Sequence, residues 1–289
     1  MVDLSEIAPK LQLAPEGFWF SPNVSKVCYE EEHNDICFAV EDQSFWFTYR
    51  NECILNAVRL FPPPGAVFDV GGGNGYIAKA LQDVGLEVVL VEPGLRGVRN
   101  ARQRGVSHVV RSTLADAGFR TGVIPAVGLF DVVEHIEDDR GFLSDLHTYL
   151  LPGGRVYLTV PAFRRLWSHE DIVAGHQRRY TVPQICAVLR DSGFEIDYAT
   201  YFFNFLLLPI YFLRALPYSL GIKPRKDMAE RAHRDHHISN GAAQRVIRWL
   251  SDRELKRMAS RCRIRVGASC LVVARKPLSD HVSSPVQNV

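Results

Sequence analysis

From residue 66 onward, short apolar runs alternate with stretches whose apolar residues recur at helical spacing. The run 66–70 predicts a buried strand, and 75–84 a helix that stops at Gly85. Residues 87–91 predict a second strand, 95–104 a second helix, and 108–111 a short third strand. A fourth strand at 126–130 precedes a helix over 141–151. Pro152-Gly153-Gly154 then turns the chain into a fifth strand at 155–160. Residues 181–191 predict a helix with Thr181 as N-cap, followed by a sixth strand at 194–201 and a last one at 268–274. Strand and helix in alternation, with short connections, predict an α/β fold whose mainly parallel sheet carries helices on both faces.

The flanks behave differently. Before residue 45 the chain has an aromatic cluster, Phe18-Trp19-Phe20, and an acidic run, Glu30-Glu31-Glu32, but no sustained period. Phe45-Trp46-Phe47 opens a helical pattern through Ile54, Val58 and Leu60 that ends at Pro62-Pro63-Pro64. Residues 202–220 are strongly apolar, yet Asn204, Pro209, Arg214 and Pro217 interrupt them, so a buried or surface-lying helical insertion is expected rather than a membrane span. The expected organisation is a 1–61 extension with lead-in helix, a 62–201 core, a 202–265 apolar then basic insertion, a last strand within 266–276 and a flexible 277–289 tail.

Composition is ordinary for a soluble globular chain, at 47% hydrophobic and 23% charged residues, and the net charge of +2 calls for no nucleic-acid partner. The charge is uneven. Residues 222–265 carry 13 Lys/Arg against five Asp/Glu, a local excess of 8 that leaves the remainder at −6. The six cysteines show no CxxC spacing, so neither a zinc centre nor a redox pair is expected, and no metal site is read from the sequence. The first residues, Met1 to Glu6, lack a basic segment followed by an apolar one, which predicts a cytoplasmic location.

The chemistry begins at Val67-Phe68-Asp69-Val70-Gly71-Gly72-Gly73-Asn74-Gly75, between the first strand and its helix. Glycines let the backbone approach a ligand closely, and a helix N-terminus favours an anionic group. A dinucleotide fingerprint would read G-x-G-x-x-G, but Tyr76 stands where its third glycine would fall. An acid at Asp69 is badly placed beside a pyrophosphate and well placed for an ammonium. Glu92, ending the second strand, can accept both hydroxyls of a ribose.

These residues resemble the first motif of class I S-adenosylmethionine-dependent methyltransferases, and Glu92 matches that family's ribose-binding acid. Phe130-Asp131-Val132-Val133-Glu134-His135 is similar to the fourth-strand motif, often D-x-L-E-H in bacterial members, with Val133 where Leu is commoner. Leu151-Pro152-Gly153-Gly154 resembles the turn before the fifth strand. The resemblance implies a Rossmann-like seven-stranded sheet and S-adenosyl-L-methionine as cofactor. It implies that Asp69, Gly71 and Gly73 line the methionine end, with Asn74 and Gly75 also among the cofactor-binding residues. Phe130 and Asp131 then lie near the sulfonium, and Thr113 and Leu114 near the adenine.

Methyl transfer requires in-line approach of a nucleophile, with a base where the acceptor carries a proton. Ligands bind such sheets at the carboxyl edge. His135 is one candidate there, and a denser set follows the fifth strand: Trp167, His169, Asp171, His176, Arg178, Arg179 and Tyr180. The string Gly175-His176-Gln177-Arg178-Arg179-Tyr180 is similar to one found in a bacterial subgroup linked to envelope, glycan or lipid pathways. Carried over, His176, His169, His135 and Tyr180 are candidate catalytic groups, and Trp167, Asp171, Arg178 and Arg179 candidate substrate contacts. The acceptor is expected to be a small molecule, or glycan- or lipid-linked, and methylated at oxygen. The apolar and basic 202–265 stretch suits peripheral contact with the inner face of a membrane, or else a lid or dimer contact. The alternatives are an NAD(P)-type oxidoreductase or epimerase on the same fold, or a non-catalytic cofactor-binding protein. Nucleic-acid methylation is weaker, since residues 131–134 read Asp-Val-Val-Glu.

Overall fold

The computed structural model describes residues 2–23, 25, 32–222 and 241–278. The seven anticipated strands all form: β3 (Val67–Val70), β4 (Val88–Glu92), β5 (His108–Arg111), β6 (Ile124–Phe130), β7 (Leu150–Pro161), β8 (Glu195–Phe202) and β9 (Ser269–Arg275). Two more, β1 (Gln12–Leu13) and β2 (Trp19–Phe20), extend the sheet to nine, in the order β1-β2-β5-β4-β3-β6-β7-β9-β8. The expected seven is thereby corrected to nine. The extra strands are only two residues each, too short to show alternation. Trp19 and Phe20 instead follow the open edge of β5, pairing parallel with Val110 and Arg111.

Strands β5, β4, β3, β6 and β7 run parallel, and β9 enters antiparallel between β7 and β8. Every residue of β3 and β4 is buried, which explains their unbroken apolar runs. Strand β7 starts earlier than predicted and includes Pro152-Gly153-Gly154. The register shifts there: Ile124 pairs with Leu150 but Ala126 with Arg155, and Gly153 takes φ +78°. The preceding helix, α6 (Asp139–Tyr149), is correspondingly displaced from the predicted 141–151.

Seven other helices complete this part of the chain. After α1 (Leu4–Ile7) come α2 (Glu32–Glu41), α3 (Phe45–Leu60), α4 (Tyr76–Asp83) and α5 (Leu95–Gln103). Helices α7 (His169–Ala174) and α8 (Val182–Asp191) follow β7. Thr181 caps α8 as predicted: Gln184 N donates to its Oγ1, and Thr181 N donates to Gln184 Oε1 at 2.8 Å. Helices α2 and α7 fall where the sequence shows no helical period.

The 202–220 stretch is a surface-lying helical run: Asn204–Leu206, Leu207–Ile210, a wide π turn at Tyr211–Ala215, and Leu216–Ser219. Its root is clamped to α3. Phe203 stacks on Trp46 at 3.9 Å, and Glu254 accepts from Phe203 N at 2.6 Å, Asn204 N at 2.9 Å and Tyr49 Oη at 2.8 Å. Glu254 belongs to the long helix Gly241–Ala259. The basic residues of 223–240 and the tail residues 279–289 lie outside the described residues. Among the described residues, no helix is long and apolar enough to cross a membrane.

Candidate functional site

The glycine loop leaves β3 in left-handed conformations, with φ +71° at Gly71, +50° at Gly73 and +73° at Gly75. A methyl group at Gly75 would meet Ala101 Cβ and Val106 Cγ2 at 2.9 Å, so this glycine sets how closely α4 approaches α5. Gly73 faces open space, with only Asn34 Oδ1 near at 3.8 Å. Asp69 lies beneath the loop, 1% exposed, and its Oδ2 has no hydrogen-bond partner. Burial pushes its carboxyl up to about 7; Glu92 pushes the same way, while Arg50 and the Ala78 N–H act against them.

Glu92 is 2% exposed and accepts from Gly73 N at 3.0 Å and Gly94 N at 2.7 Å. Leu114 is buried. Thr113 is spent on a local turn, its Oγ1 donating to Asp116 Oδ2 at 2.7 Å and accepting from Asp116 N at 3.1 Å.

Helix α2 covers this loop, a feature missed in the sequence. Asn74 Nδ2 donates to Asn34 O at 2.8 Å and Glu41 Oε1 at 3.2 Å, and Asn74 Oδ1 accepts from Asn100 Nδ2 at 3.0 Å. Arg104 pairs with Glu41 at 2.8 Å and Asp42 at 2.6 Å. Burial pushes the Glu41 carboxyl up, against the pull of Arg104 and Asn74. The sequence shows only an Asn between the loop glycines; that Asn74 is 3% exposed, so that its amide needs partners, emerges from the fold.

Across the carboxyl ends of β6 and β7 lies a second set of groups. Phe130 is buried at the end of β6. Asp131 follows at φ +58°, accepts from Thr159 Oγ1 at 3.0 Å and pairs with Arg50 at 2.8 Å. Arg50, unremarked in the sequence, sits on α3 inside a field of acids and opposes the upward shifts at Asp69, Glu41 and Glu134. Glu134 is fully buried with neither carboxylate oxygen hydrogen-bonded; burial, and then Asp131, raise its carboxyl well above the usual range.

The expected loop at 167–180 folds around Asp171. Ser168 N donates to Asp171 Oδ2 at 2.8 Å, starting α7, and Gly175 ends it at φ +74°. Asp171 is 0% exposed, so it faces protein rather than ligand. Burial raises its carboxyl, but the hydrogen bonds of His176 and Arg179, together with the Arg179 charge and Ser168 N–H, prevail and hold it at about 2. His176 Nδ1 is 2.8 Å from Asp171 Oδ1, and its Nε2 is 3.9 Å from Glu134 Oε1. The His135 ring stands edge-on to His176 at 4.9 Å, with its Nδ1 3.3 Å from Gly175 O.

Arg179, a candidate substrate contact, has its guanidinium engaged within the protein. It donates to both Asp171 oxygens, at 2.7 and 3.0 Å, and to Ala162 O at 3.1 Å. Arg178 donates to Asp139 Oδ2 at 3.1 Å and Glu137 O at 2.6 Å, with its side chain 34% exposed. Tyr180 is 4% exposed and its hydroxyl donates to Asp139 Oδ2 at 2.6 Å. Its phenol is raised by burial and by that carboxylate, which suits an anchor for the loop better than a proton donor. His169 turns to Tyr218 of the surface helical run, ring to ring at 5.1 Å, and Trp167 is half-buried. Of the expected catalytic groups, the structure therefore brings His135 and His176 together.

A sequence profile for the family described as "Methyltransferase domain" matches residues 45–199. A "Probable S-adenosylmethionine-dependent methyltransferase" of Mycolicibacterium smegmatis is 24% identical over 159 residues, covering 54% of this chain and 62% of that protein. The chain thus spans less than two thirds of the mycobacterial relative's length. The ubiquinone biosynthesis O-methyltransferase of Xanthomonas axonopodis is 24% identical over 160 residues, 49% of this chain and 67% of that protein. Among solved structures, a SAM-dependent methyltransferase from Thermotoga maritima superposes with a TM-score of 0.52 at 16% identity, over 85% of this chain and 95% of that one. At that identity the likeness is one of fold.

Proposed function

With the premise that the chain belongs to the methyltransferase domain family, we propose that it methylates an oxygen of a small-molecule, glycan- or lipid-linked acceptor. It is an S-adenosylmethionine-dependent methyltransferase, which displaces the dinucleotide oxidoreductase and non-catalytic alternatives. Within the family, we place it with the bacterial D-x-L-E-H members that carry the G-H-x-R-R-Y loop.

The residues fit the cofactor. Asp69 Oδ2, buried and without a partner, compensates the methionine ammonium. Gly73 leaves room above the loop, and the buried carboxylate of Glu92 lies beside it, accepting from Gly73 N. When bound, the cofactor supplies a methyl group carried on a sulfonium. Asp131, fixed by Arg50 and Thr159 just past the end of β6, would lie near the sulfonium.

The observation carrying the acceptor side is His176, held by Asp171 with its Nε2 turned toward Glu134 and His135. Fixing one ring nitrogen on a carboxylate leaves the other to take a proton from a hydroxyl. Such a base is needed for an alcohol or phenol. The name of the Xanthomonas relative, an O-methyltransferase, supports the same reading. The test is incubation with methyl-labelled cofactor and separated aqueous and lipid extracts. Label recovered on oxygen supports the proposal; label on nitrogen or carbon overturns it.

We also propose that the surface helical run meets an anionic membrane face. Leu208, Phe212, Leu213, Leu220 and Ile222 are each more than half exposed. Arg245, Arg248, Arg253, Lys256 and Arg257 lie along Gly241–Ala259. Apolar side chains entering the interface beside cations that meet head groups would hold a peripheral protein. Co-sedimentation with anionic but not neutral vesicles is the expected result; equal recovery in both supernatants rejects the idea.

A further inference from the structure

The groups across the β6 and β7 ends contain an arrangement that acid–base work alone does not require. Among the described residues, Glu134, His135 and His176 each place one donor atom within 4.8 Å of the other two. Their backbones are tied together, since Gln177 N donates to Glu134 O at 2.8 Å and His176 N to Asp171 O at 2.9 Å. Glu134 has no exposed surface, and both of its carboxylate oxygens lack hydrogen-bond partners. A buried carboxylate without hydrogen bonds is expensive unless it neutralises or meets a cation. Arg50 and Arg179 contribute long-range charge at Glu134, but their close pairs are with Asp131 and Asp171.

The two imidazoles are prepared in the manner of ligands. Asp171 holds His176 by Nδ1, directing Nε2 toward Glu134. His135 Nδ1 lies 3.3 Å from the Gly175 carbonyl, and the tautomer that donates there carries its lone pair on Nε2. An outer carboxylate or carbonyl on the far ring nitrogen is the usual way a protein orients a metal-binding histidine. A cation at the centre of three donors 4.8 Å apart lies about 2.8 Å from each, and bond lengths near 2.1 Å follow from side-chain shifts of under about 1 Å.

We propose that Glu134, His135 and His176 bind one divalent cation of the zinc or cobalt type, leaving coordination positions for an oxygen of the acceptor. Two nitrogens and one carboxylate suit such borderline cations better than magnesium or calcium, which favour oxygen shells. The cysteine spacing, which predicts no metal, does not bear on this set, because it contains no thiolate. The acceptor role rests on the methyltransferase reading; with the cation bound, His176 Nε2 is a ligand and not a base, and the cation itself favours the ionised acceptor oxygen, whose proton leaves to solvent. The metal site does not rest on that reading.

The experiment uses the full chain, stripped with a chelator, dialysed and titrated with Co2+ alone. The expected result is one equivalent per chain with a visible ligand-field band, displaced by Zn2+. Glu134→Gln and His135→Ala should each weaken binding by about a hundredfold or more, and Asp171→Asn by about 10- to 100-fold. His135 is only partly buried, so His135→Ala decides the matter if Glu134→Gln does not fold. No bound Co2+, or unchanged affinity in a folded His135→Ala variant, overturns the site and marks any uptake as adventitious. S-adenosylhomocysteine titration of the same sample reports separately on the cofactor: failure there rejects the methyltransferase reading whatever the metal does.

Discussion

Arg50 Nη2 stands 2.8 Å from Asp131 Oδ2, so the lead-in helix is pinned to the carboxyl end of β6 by one ion pair. The Arg50 side chain is 11% exposed, and its charge also reaches Asp69 and Glu134. One cation therefore serves Asp131, Asp69 and Glu134 beside the strand ends, and Glu41 on α2 as well. Arg50→Ala should destabilise the fold by about 2–3 kcal/mol. That is below the ~3–5 kcal/mol of a fully buried pair, because Asp131 is 34% exposed. Urea unfolding checks this, and Arg50→Lys should recover part of the loss.

Asp69 ties stability to pH. Its folded carboxyl titrates at about 7 against an ordinary 3.8, so between those values the folded state binds the extra proton. Stability from this group is complete below about 4 and falls as pH rises to about 7. Asp69→Asn should flatten that slope in thermal melts taken across the range. A cationic ligand favours the ionised form, so S-adenosylmethionine should bind more tightly at pH 8 than at pH 6 in the parent protein. In Asp69→Asn the two affinities should be alike.

Asp171 has the opposite sign. Its carboxyl is held at about 2, below the ordinary 3.8, so its contribution is present above about 4 and lost as pH falls toward 2. Asp171→Asn should cost about 3–5 kcal/mol, because Arg179 keeps a buried charge without its partner. It should also shrink the acid limb of the stability curve. Turnover should fall by about a hundredfold once the His176 ring loses its orientation.

The loop glycines should respond unequally. Gly75→Ala combines a left-handed backbone, roughly 1–2 kcal/mol, with contacts at 2.9 Å to Ala101 and Val106. It should abolish cofactor binding and lower the melting temperature. Gly73→Ala has open space and should cost only the backbone strain, about 1–2 kcal/mol. Differential scanning fluorimetry with and without S-adenosylhomocysteine separates the two.

The glycine loop, the seven core strands and the capped helix at Thr181 were legible because their signals are local: a spacing of three glycines, unbroken apolar runs, and a Thr with Gln three residues on. Strands β1 and β2 were not, since two residues carry no period and only the β5 edge defines them. Helix α2 was missed for a related reason. What holds it to the loop is long-range hydrogen bonding through Asn74 and Arg104. In the 167–180 segment the sequence offered several polar residues of equal standing. Folding sorted them by burial, turning Arg179 onto Asp171 and Tyr180 onto Asp139 while leaving His176 beside His135 and Glu134.

By itself, then, the sequence determined the alternating α/β order and the kind of cofactor, because backbone periodicity and a glycine turn are properties of neighbouring residues. Only the tertiary structure decided which of the many acids, arginines and histidines share a charge environment. Burial and pairing depend on residues such as Arg50 and Asp131, 81 positions apart, meeting at one sheet edge, and no spacing along the chain encodes that distance.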